Sequence, residues 1–250
     1  MLVTVPDFPS TPNFASTPLS GWPGDWTVRW VAETGSTNAD LVAAGAAGAP
    51  HRSVLFADFQ RAGRGRLDRG WDAPVGANLL ASLLLRELPT HPHEITQRIA
   101  LAALVASRTL TGLEPTLKWP NDLLLDGAKL AGVLAQMGAW AEGPFVVVGI
   151  GLNVGWAPPG AARLGDGVTP RDVLRELLVA FDALPDDVTS MYHEHLGTLG
   201  QMVRVELPGE QMIVGRAIDV EPDGRLVVLD ECAISHRIDT GDVVHLRLAE

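Results

Sequence analysis

The sequence predicts an α/β domain followed by a small all-β module, and three observations carry that reading. Short, near-continuous apolar runs of strand length alternate with long helical stretches as far as Leu184. Beyond Gly200 the texture changes to short apolar runs at close spacing. A chain of 250 residues, 46% hydrophobic, can bury one large core with a smaller one attached. That core is aliphatic, because aromatic residues make up only 6% of the chain.

Each element has a local reason. Met1 to Gly24 is rich in Pro, Ser and Thr and reads as a loosely ordered lead-in. Trp26 to Val31 alternates as a strand does. Ser36-Thr37-Asn38 then opens an Ala/Leu-rich helix through Ala47, with Ser36 as N-cap. No Glu or Gln completes a capping box there. His51 to Asp58 is a strand leading into a glycine-broken loop. Ala77 to Leu85 is a strand buried on both faces. Glu94 to Leu110 has helical spacing, with Ile95, Ile99, Ala102 and Val105 on one stripe.

Pro115 to Pro120 is a short strand, so Lys118 lies at a strand end and Asn121 and Asp122 in a turn. Asp126-Gly127 between Leu123–Leu125 and Leu130–Met137 is a hairpin signal that returns Lys129 toward Lys118. Phe145 to Ile150 is a buried strand, and Val168 to Leu184 is an amphipathic helix. Met202–Leu207, Met212–Val220, Arg225–Leu229, Ala233–Ile238 and Val243–Leu248 then form a β-barrel of about fifty residues. Pro208-Gly209, Pro222-Asp223-Gly224 and Asp239-Thr240-Gly241 mark its turns. The expected division is a lead-in over 1–24, a larger domain over 25–198 and the barrel over 199–250.

Composition excludes several functions. A net charge of -11 argues against a nucleic-acid partner, whose phosphates demand many Lys/Arg contacts. The single cysteine, Cys232, permits no internal disulfide, which fits a cytoplasmic protein; in the β-rich tail it reads as packing. No run reaches the ~18 apolar residues of a membrane span, so no membrane partner is expected. His91, His93, His193 and His195 lack a third ligand at metal spacing and read as surface residues, with no protein metal site.

Against this acidic background, Gln60-Arg61-Ala62-Gly63-Arg64-Gly65-Arg66-Leu67-Asp68-Arg69-Gly70-Trp71 sets four arginines within nine residues. Guanidinium forks match phosphate and carboxylate oxygens in pairs, and the glycines let backbone N–H groups approach the same anion. A second group, Lys118-Trp119-Pro120-Asn121-Asp122 with Lys129-Leu130-Ala131-Gly132, brings two lysines, an amide and a carboxylate toward one pocket. A third, Gly149-Ile150-Gly151-Leu152-Asn153, interrupts a strand with glycines; that marks either a bulge or the close approach of a ligand. Fourth, Ser36-Thr37-Asn38 offers hydroxyls and helix N-terminal amides to a polar ligand, or plain capping.

Taken together and in this order, these groups resemble the biotin protein ligase family, over about Thr34 to Val154 and more weakly to the C-terminus. The resemblance implies a class II synthetase-like mixed sheet flanked by helices, then an SH3-like barrel. It implies two steps. Biotin and MgATP give biotinyl-5′-AMP and pyrophosphate; a carrier-domain lysine then takes the biotin and releases AMP. Lys129 would bridge the biotin carboxylate and the α-phosphate, with Arg64 and Arg66 flanking both. Ser36, Thr37, Asn38 and Gln60 would recognise the ureido ring, Gly63 and Gly65 would also contact biotin, and Gly132 would leave the ligand room beside the strand. Arg69 would reach the triphosphate, Trp71 would stack on adenine, Asn153 would bond near it, and Lys118 and Asn121 would hold the nucleotide. Asp122 is a candidate to orient or deprotonate the acceptor lysine.

One departure is Asp68, where the family usually has glycine; its carboxylate is expected to pair with Arg66 or Arg69. The expected acceptors are biotin carboxyl carrier domains of acyl-CoA carboxylases. Monomer and homodimer both stay open. Three alternatives compete. Lipoate-type ligases lack this arginine-glycine loop as written. A biotin-responsive repressor would need a DNA-binding segment, and Met1 to Gly24 is neither basic nor helix-turn-helix in pattern. A biotin-binding module without ligase activity would not need the cation cluster.

Overall fold

The computed structural model describes residues 19–66, 69–207, 211–239 and 241–245. Leu67, Asp68, Pro208, Gly209, Thr240 and Leu248, which entered the expectations above, lie outside them, as does most of the lead-in. A seven-stranded sheet comprises β1 (Thr27–Thr34), β2 (Ser53–Gln60), β3 (Leu79–Leu85), β4 (Thr116–Lys118), β5 (Asp122–Leu125), β6 (Ala128–Trp140) and β7 (Gly143–Leu152). Its order is β1-β2-β3-β7-β6-β5-β4. Only β1 and β2 run parallel, joined by helix α1 (Thr37–Ala46); every other neighbour is antiparallel, so the sheet is mixed.

Helices cover both faces, which explains why β3 reads as an unbroken apolar run. Leu79, Ala81, Leu83 and Leu85 join the core beneath α2 (His93–Thr111) and α3 (Pro170–Ala183). Leu84 packs on the α1 side with Leu41, Ala44, Leu55, Phe145 and Val147. The period-2 rule does the same in β7: Val146, Val148, Ile150 and Leu152 enter the large core, while Phe145, Val147, Gly149 and Gly151 face α1. Phe145 is wedged tightly, since a Cβ on Gly45 would lie 2.6 Å from its ring and one on Gly138 only 2.3 Å.

Local chemistry sets the boundaries. Asp126 and Gly127 both have positive φ, 51° and 78°, as a two-residue hairpin turn with right-handed strand twist requires. In α3 the Thr169 hydroxyl accepts from Asp172 N–H at 3.2 Å while the Asp172 carboxylate accepts from Thr169 N–H at 3.1 Å, a complete capping box before Pro170. We expect Thr169→Ala to cost about 1 kcal/mol, read from the urea midpoint at unchanged slope. Ser36 occupies the N-cap of α1, but its side chain caps nothing. The Thr37 N–H is taken instead by Gln60 Oε1 at 2.7 Å, a partner from the end of β2. A short helix, α4 (Thr189–His195), has no counterpart in the expectations; Asp187, whose carboxylate accepts from Thr189 N–H at 2.8 Å, is its only local signal.

The smaller, SH3-like unit has five antiparallel strands: β8 (Met202–Glu206), β9 (Met212–Val220), β10 (Leu226–Leu229), β11 (Ser235–Ile238) and β12 (Asp242–His245), in the order β11-β10-β9-β8-β12. Cys232 is exposed in the β10–β11 turn rather than packed, with its N–H on Asp230 at 2.9 Å. The apolar core runs on from the large sheet into the smaller one, through Val203, Val205, Val220 and Leu226, and polar contacts pin the junction. Trp119 Nε1 donates to the Gly224 carbonyl at 2.9 Å, and Trp119 N–H to Thr198 Oγ1 at 3.0 Å. His93 and His193, expected on the surface, lie at this junction. The His93 ring sits where a Gly224 Cβ would approach to 2.4 Å, and His193 Nε2 is 3.0 Å from the Val220 carbonyl.

Candidate functional site

A cavity of about 280 Å³ opens on the α1 face of the large sheet. Gly149 and Gly151 form its floor, and that is where the alternation of β7 runs out of large side chains. The register of β7 against β3 and β6 is unbroken, so these glycines mark close approach and no bulge. What approaches is the protein's own side chains. A Cβ at Gly149 would lie 2.6 Å from Asn38 Oδ1, and one at Gly151 would lie 2.4 Å from Trp71 Cε2.

One end of the cavity is neutral and polar. Gln60 Oε1 accepts from both Thr37 N–H, at 2.7 Å, and the Thr37 hydroxyl, at 3.0 Å. Asn38 Nδ2 donates to the Leu134 carbonyl at 3.2 Å and to Gln136 Oε1 at 2.9 Å. Ser82 Oγ stands 2.8 Å from both Thr37 Oγ1 and Asn38 Oδ1. Sequence reasoning missed Ser82; its only signal is that it is the one hydroxyl in the apolar run of β3. Its full burial and its bonds make it a buried polar group with a defined job, fixing the N-terminal residues of α1.

The other end is charged. Lys129 Nζ, on β6, lies 2.8 Å from Asp122 Oδ1 on β5 and 5.7 Å from the Trp71 ring centroid. Asp122 opens β5 rather than sitting in the turn before it. A Cβ on Gly132 would meet Lys129 Nζ at 3.3 Å and Asp122 Oδ1 at 3.4 Å, so the missing side chain gives this ion pair its space. The arginine loop folds as a hairpin beside it: Arg64 bridges Gly70, Gly65 N–H reaches the Arg69 carbonyl at 2.7 Å, and Trp71 N–H reaches the Gly63 carbonyl at 3.0 Å. Gly63 lets the two legs meet, since its Cβ would lie 2.4 Å from the Trp71 carbonyl oxygen; Gly63 itself does not line the cavity. Arg64 and Gly65 do.

Arg66 donates to Asn121 Oδ1 and to the Gly241 carbonyl, each at 3.3 Å. Burial lowers its guanidinium pKa, while the carboxylates of Asp242 and Asp122 oppose that shift. Arg69 pairs with Asp242 of the smaller sheet, a residue the sequence reading did not single out. Trp71 Nε1 is buried against Gly151 without a hydrogen-bond partner.

Two of the expected nucleotide contacts, Lys118 and Asn153, are held differently from the loop residues. Lys118 does not line the cavity. The strand end that carries it is tied to the smaller sheet through Trp119, and its charge lies near His245, whose pKa is lowered first by burial and then by that lysine. Asn153 borders the cavity with its amide already engaged: Nδ2 donates to the Ala162 carbonyl at 2.9 Å, and Oδ1 accepts from Asn78 at 3.0 Å. In this arrangement Asn153 is a brace for the loop after β7.

Comparison with known proteins agrees with this layout. The sequence matches the Biotin/lipoate A/B protein ligase family over residues 34–153 and the Biotin protein ligase C terminal domain over residues 198–246. It is 41% identical over 239 residues to the biotin–[acetyl-CoA-carboxylase] ligase of Mycobacterium tuberculosis, covering 87% of this chain and 88% of that one. It is 27% identical over 217 residues to the bifunctional ligase/repressor of Escherichia coli, covering 79% and 67%. It shares the fold of the Aquifex aeolicus biotin protein ligase solved with biotin and ATP, at a TM-score of 0.73 and 24% identity, covering 88% of this chain and 99% of that one. With that degree of identity sustained along nearly the whole of both chains, and with both halves of the fold matched, the chain belongs to the biotin protein ligase family.

Proposed function

We propose that this protein activates biotin with MgATP and transfers it to a lysine of a biotin carboxyl carrier domain of an acyl-CoA carboxylase. The observation that carries the reading is one cavity with a neutral polar end, a cationic end and Trp71 laid across the floor between them. Thr37, Asn38, Gln60 and Ser82 suit the ureido ring. Lys129, Arg64, Arg66 and Arg69 suit a carboxylate meeting a triphosphate. Magnesium would arrive with the nucleotide, on its phosphate oxygens.

In the first step a biotin carboxylate oxygen forms a bond to the α-phosphorus, and the bond to the pyrophosphate leaving group breaks. Lys129 stands where both anions need a counter-charge. In the second step the acceptor amine attacks the acyl carbon, an amide forms, AMP leaves and one amine proton must go. Asp122 is the candidate to receive that proton once Lys129 has turned to the ligand's anions. We expect Asp122→Asn to slow transfer from preformed biotinyl-5′-AMP about 10²-fold; an unchanged rate would remove Asp122 from this role. The hairpin loop, already folded against the cavity, would shield the reactive anhydride from water.

We place the boundary between the catalytic and SH3-like domains near residues 198–199. The protein is read as cytoplasmic and without a nucleic-acid partner; no helix among the described residues is long and apolar enough to cross a membrane. The test is ATP–pyrophosphate exchange with biotin, with lipoate and with no acid. Exchange that depends on biotin supports the reading, and exchange with lipoate alone moves the protein to the sister activity.

A further inference from the structure

We infer that Asp242 is a positioning residue at the phosphate end of the cavity: a resident counter-anion that holds the loop arginines until the phosphates of the nucleotide replace it. Among the described residues it is the one member of the smaller sheet that lines the cavity. It pairs with Arg69, and the preceding Gly241 carbonyl accepts from Arg66 Nη2 at 3.3 Å. Two arginines of the hairpin loop therefore reach across to one corner of the SH3-like sheet.

That corner is closely packed. Asp242 registers opposite Glu206 on β8, and a Cβ on Gly241 would lie 2.8 Å from Val205 Cγ1 and 3.1 Å from the Glu206 carbonyl oxygen. The Asp242 side chain is 24% exposed, against 67% for Arg69. When an anion enters, the mobile partner is the arginine. An ion pair with so exposed a cation is weakly held and readily exchanged. A triphosphate, with more charge and paired oxygens, displaces one carboxylate from a guanidinium. After the exchange the carboxylate stays beside the phosphates, where its charge opposes them. Asp242 thus keeps the loop arginines facing the cavity at a cost in nucleotide affinity, and through it the smaller sheet sets that affinity.

The inference rests on the cavity being a nucleotide site, and the experiment separates the two. MgATP titrations of biotin-dependent exchange are compared for wild type, Asp242→Asn and Asp242→Glu. We expect Asp242→Asn to lower the KM for MgATP about three- to ten-fold, the change falling in KM for nucleotide and not in KM for biotin. The gain shrinks as salt rises, and it is absent in an Arg69→Ala background. Asp242→Glu, which keeps the charge, returns the KM toward wild type. An unchanged or raised KM for MgATP in Asp242→Asn overturns the inference; a raised KM for biotin makes Asp242 a scaffold of the loop and overturns it too. Wild type without biotin-dependent exchange is a failure of the functional reading alone, and calorimetric ATP binding by the same proteins then decides the role of Asp242.

Discussion

Lys129→Gln lowers biotin-dependent ATP–pyrophosphate exchange by about 10³-fold or more, which corresponds to about 4 kcal/mol of transition-state stabilisation. The reaction forces a carboxylate against a phosphate, and two unit charges at 4 Å repel by roughly 4 kcal/mol at an effective dielectric near 20. Lys129 is placed to cancel that term. Its ammonium stands 2.8 Å from Asp122 and over the face of Trp71, at the charged end of the cavity. Glutamine keeps most of the length and the polarity and removes the charge, so the loss reports electrostatics rather than packing. Lys129→Arg restores little. Its planar, delocalised fork does not reproduce the compact point charge of the ammonium beside Asp122 and Trp71. Steady-state exchange kinetics decide the matter: a loss under tenfold in the glutamine variant means that the arginines, not Lys129, carry the step.

Gly149→Ala weakens biotin binding about 10- to 100-fold, the cost of one buried hydrogen bond or two left unmade. The added Cβ would lie 2.6 Å from Asn38 Oδ1 and 3.0 Å from Asn38 Cγ, so the amide must leave its place. It cannot do so alone. Asn38 is bonded to Ser82, Gln136 and the Leu134 carbonyl, and Ser82 also stands within bonding distance of Thr37. Moving it unmakes the polar end as a unit. Titration calorimetry with biotin reads the effect, and a thermal melt checks that the sheet survives. Gly151→Ala is the matching variant at the other end. It displaces Trp71 and, through the Trp71–Gly63 backbone bond, the whole arginine hairpin. Biotin affinity unchanged in Gly149→Ala would mean that Asn38 only ties α1 to β3 and β6 and does not shape the ligand site.

Much of this architecture was legible because its signals are local. Period-2 runs, helical stripes and the Asp126-Gly127 turn depend on residues within a few positions of each other. So the order of strands and helices apart from the short α4, the change of texture near Gly200 and the groups that carry the family resemblance could be read along the chain. What could not be read along the chain concerns partners distant in sequence. Ser36 holds the N-cap position of α1 as expected, while the Thr37 amide is taken by Gln60, from the end of the next strand. Lys118 sits near Lys129 in the hairpin, yet the bonds of Trp119 to Gly224 and Thr198 tie its strand end to the other sheet. Asn153 stands in a motif that reads as ligand contact, and its amide bonds inward to Asn78 and Ala162.

The sequence by itself determined the class of chemistry: a glycine-hinged guanidinium loop in an acidic chain, a lysine returned by a tight hairpin, and glycines where a strand should be bulky. Tertiary structure alone decided which groups share the cavity and what each already holds. It sets Ser82 beneath Asn38, lays Trp71 on Gly151, and brings Asp242 from the far sheet onto Arg69. The physical reason is range. Backbone periodicity and turn preference are written in neighbouring residues, whereas a hydrogen bond or ion pair across 44 or 173 positions exists only once register, packing and the docking of two sheets have brought its partners together.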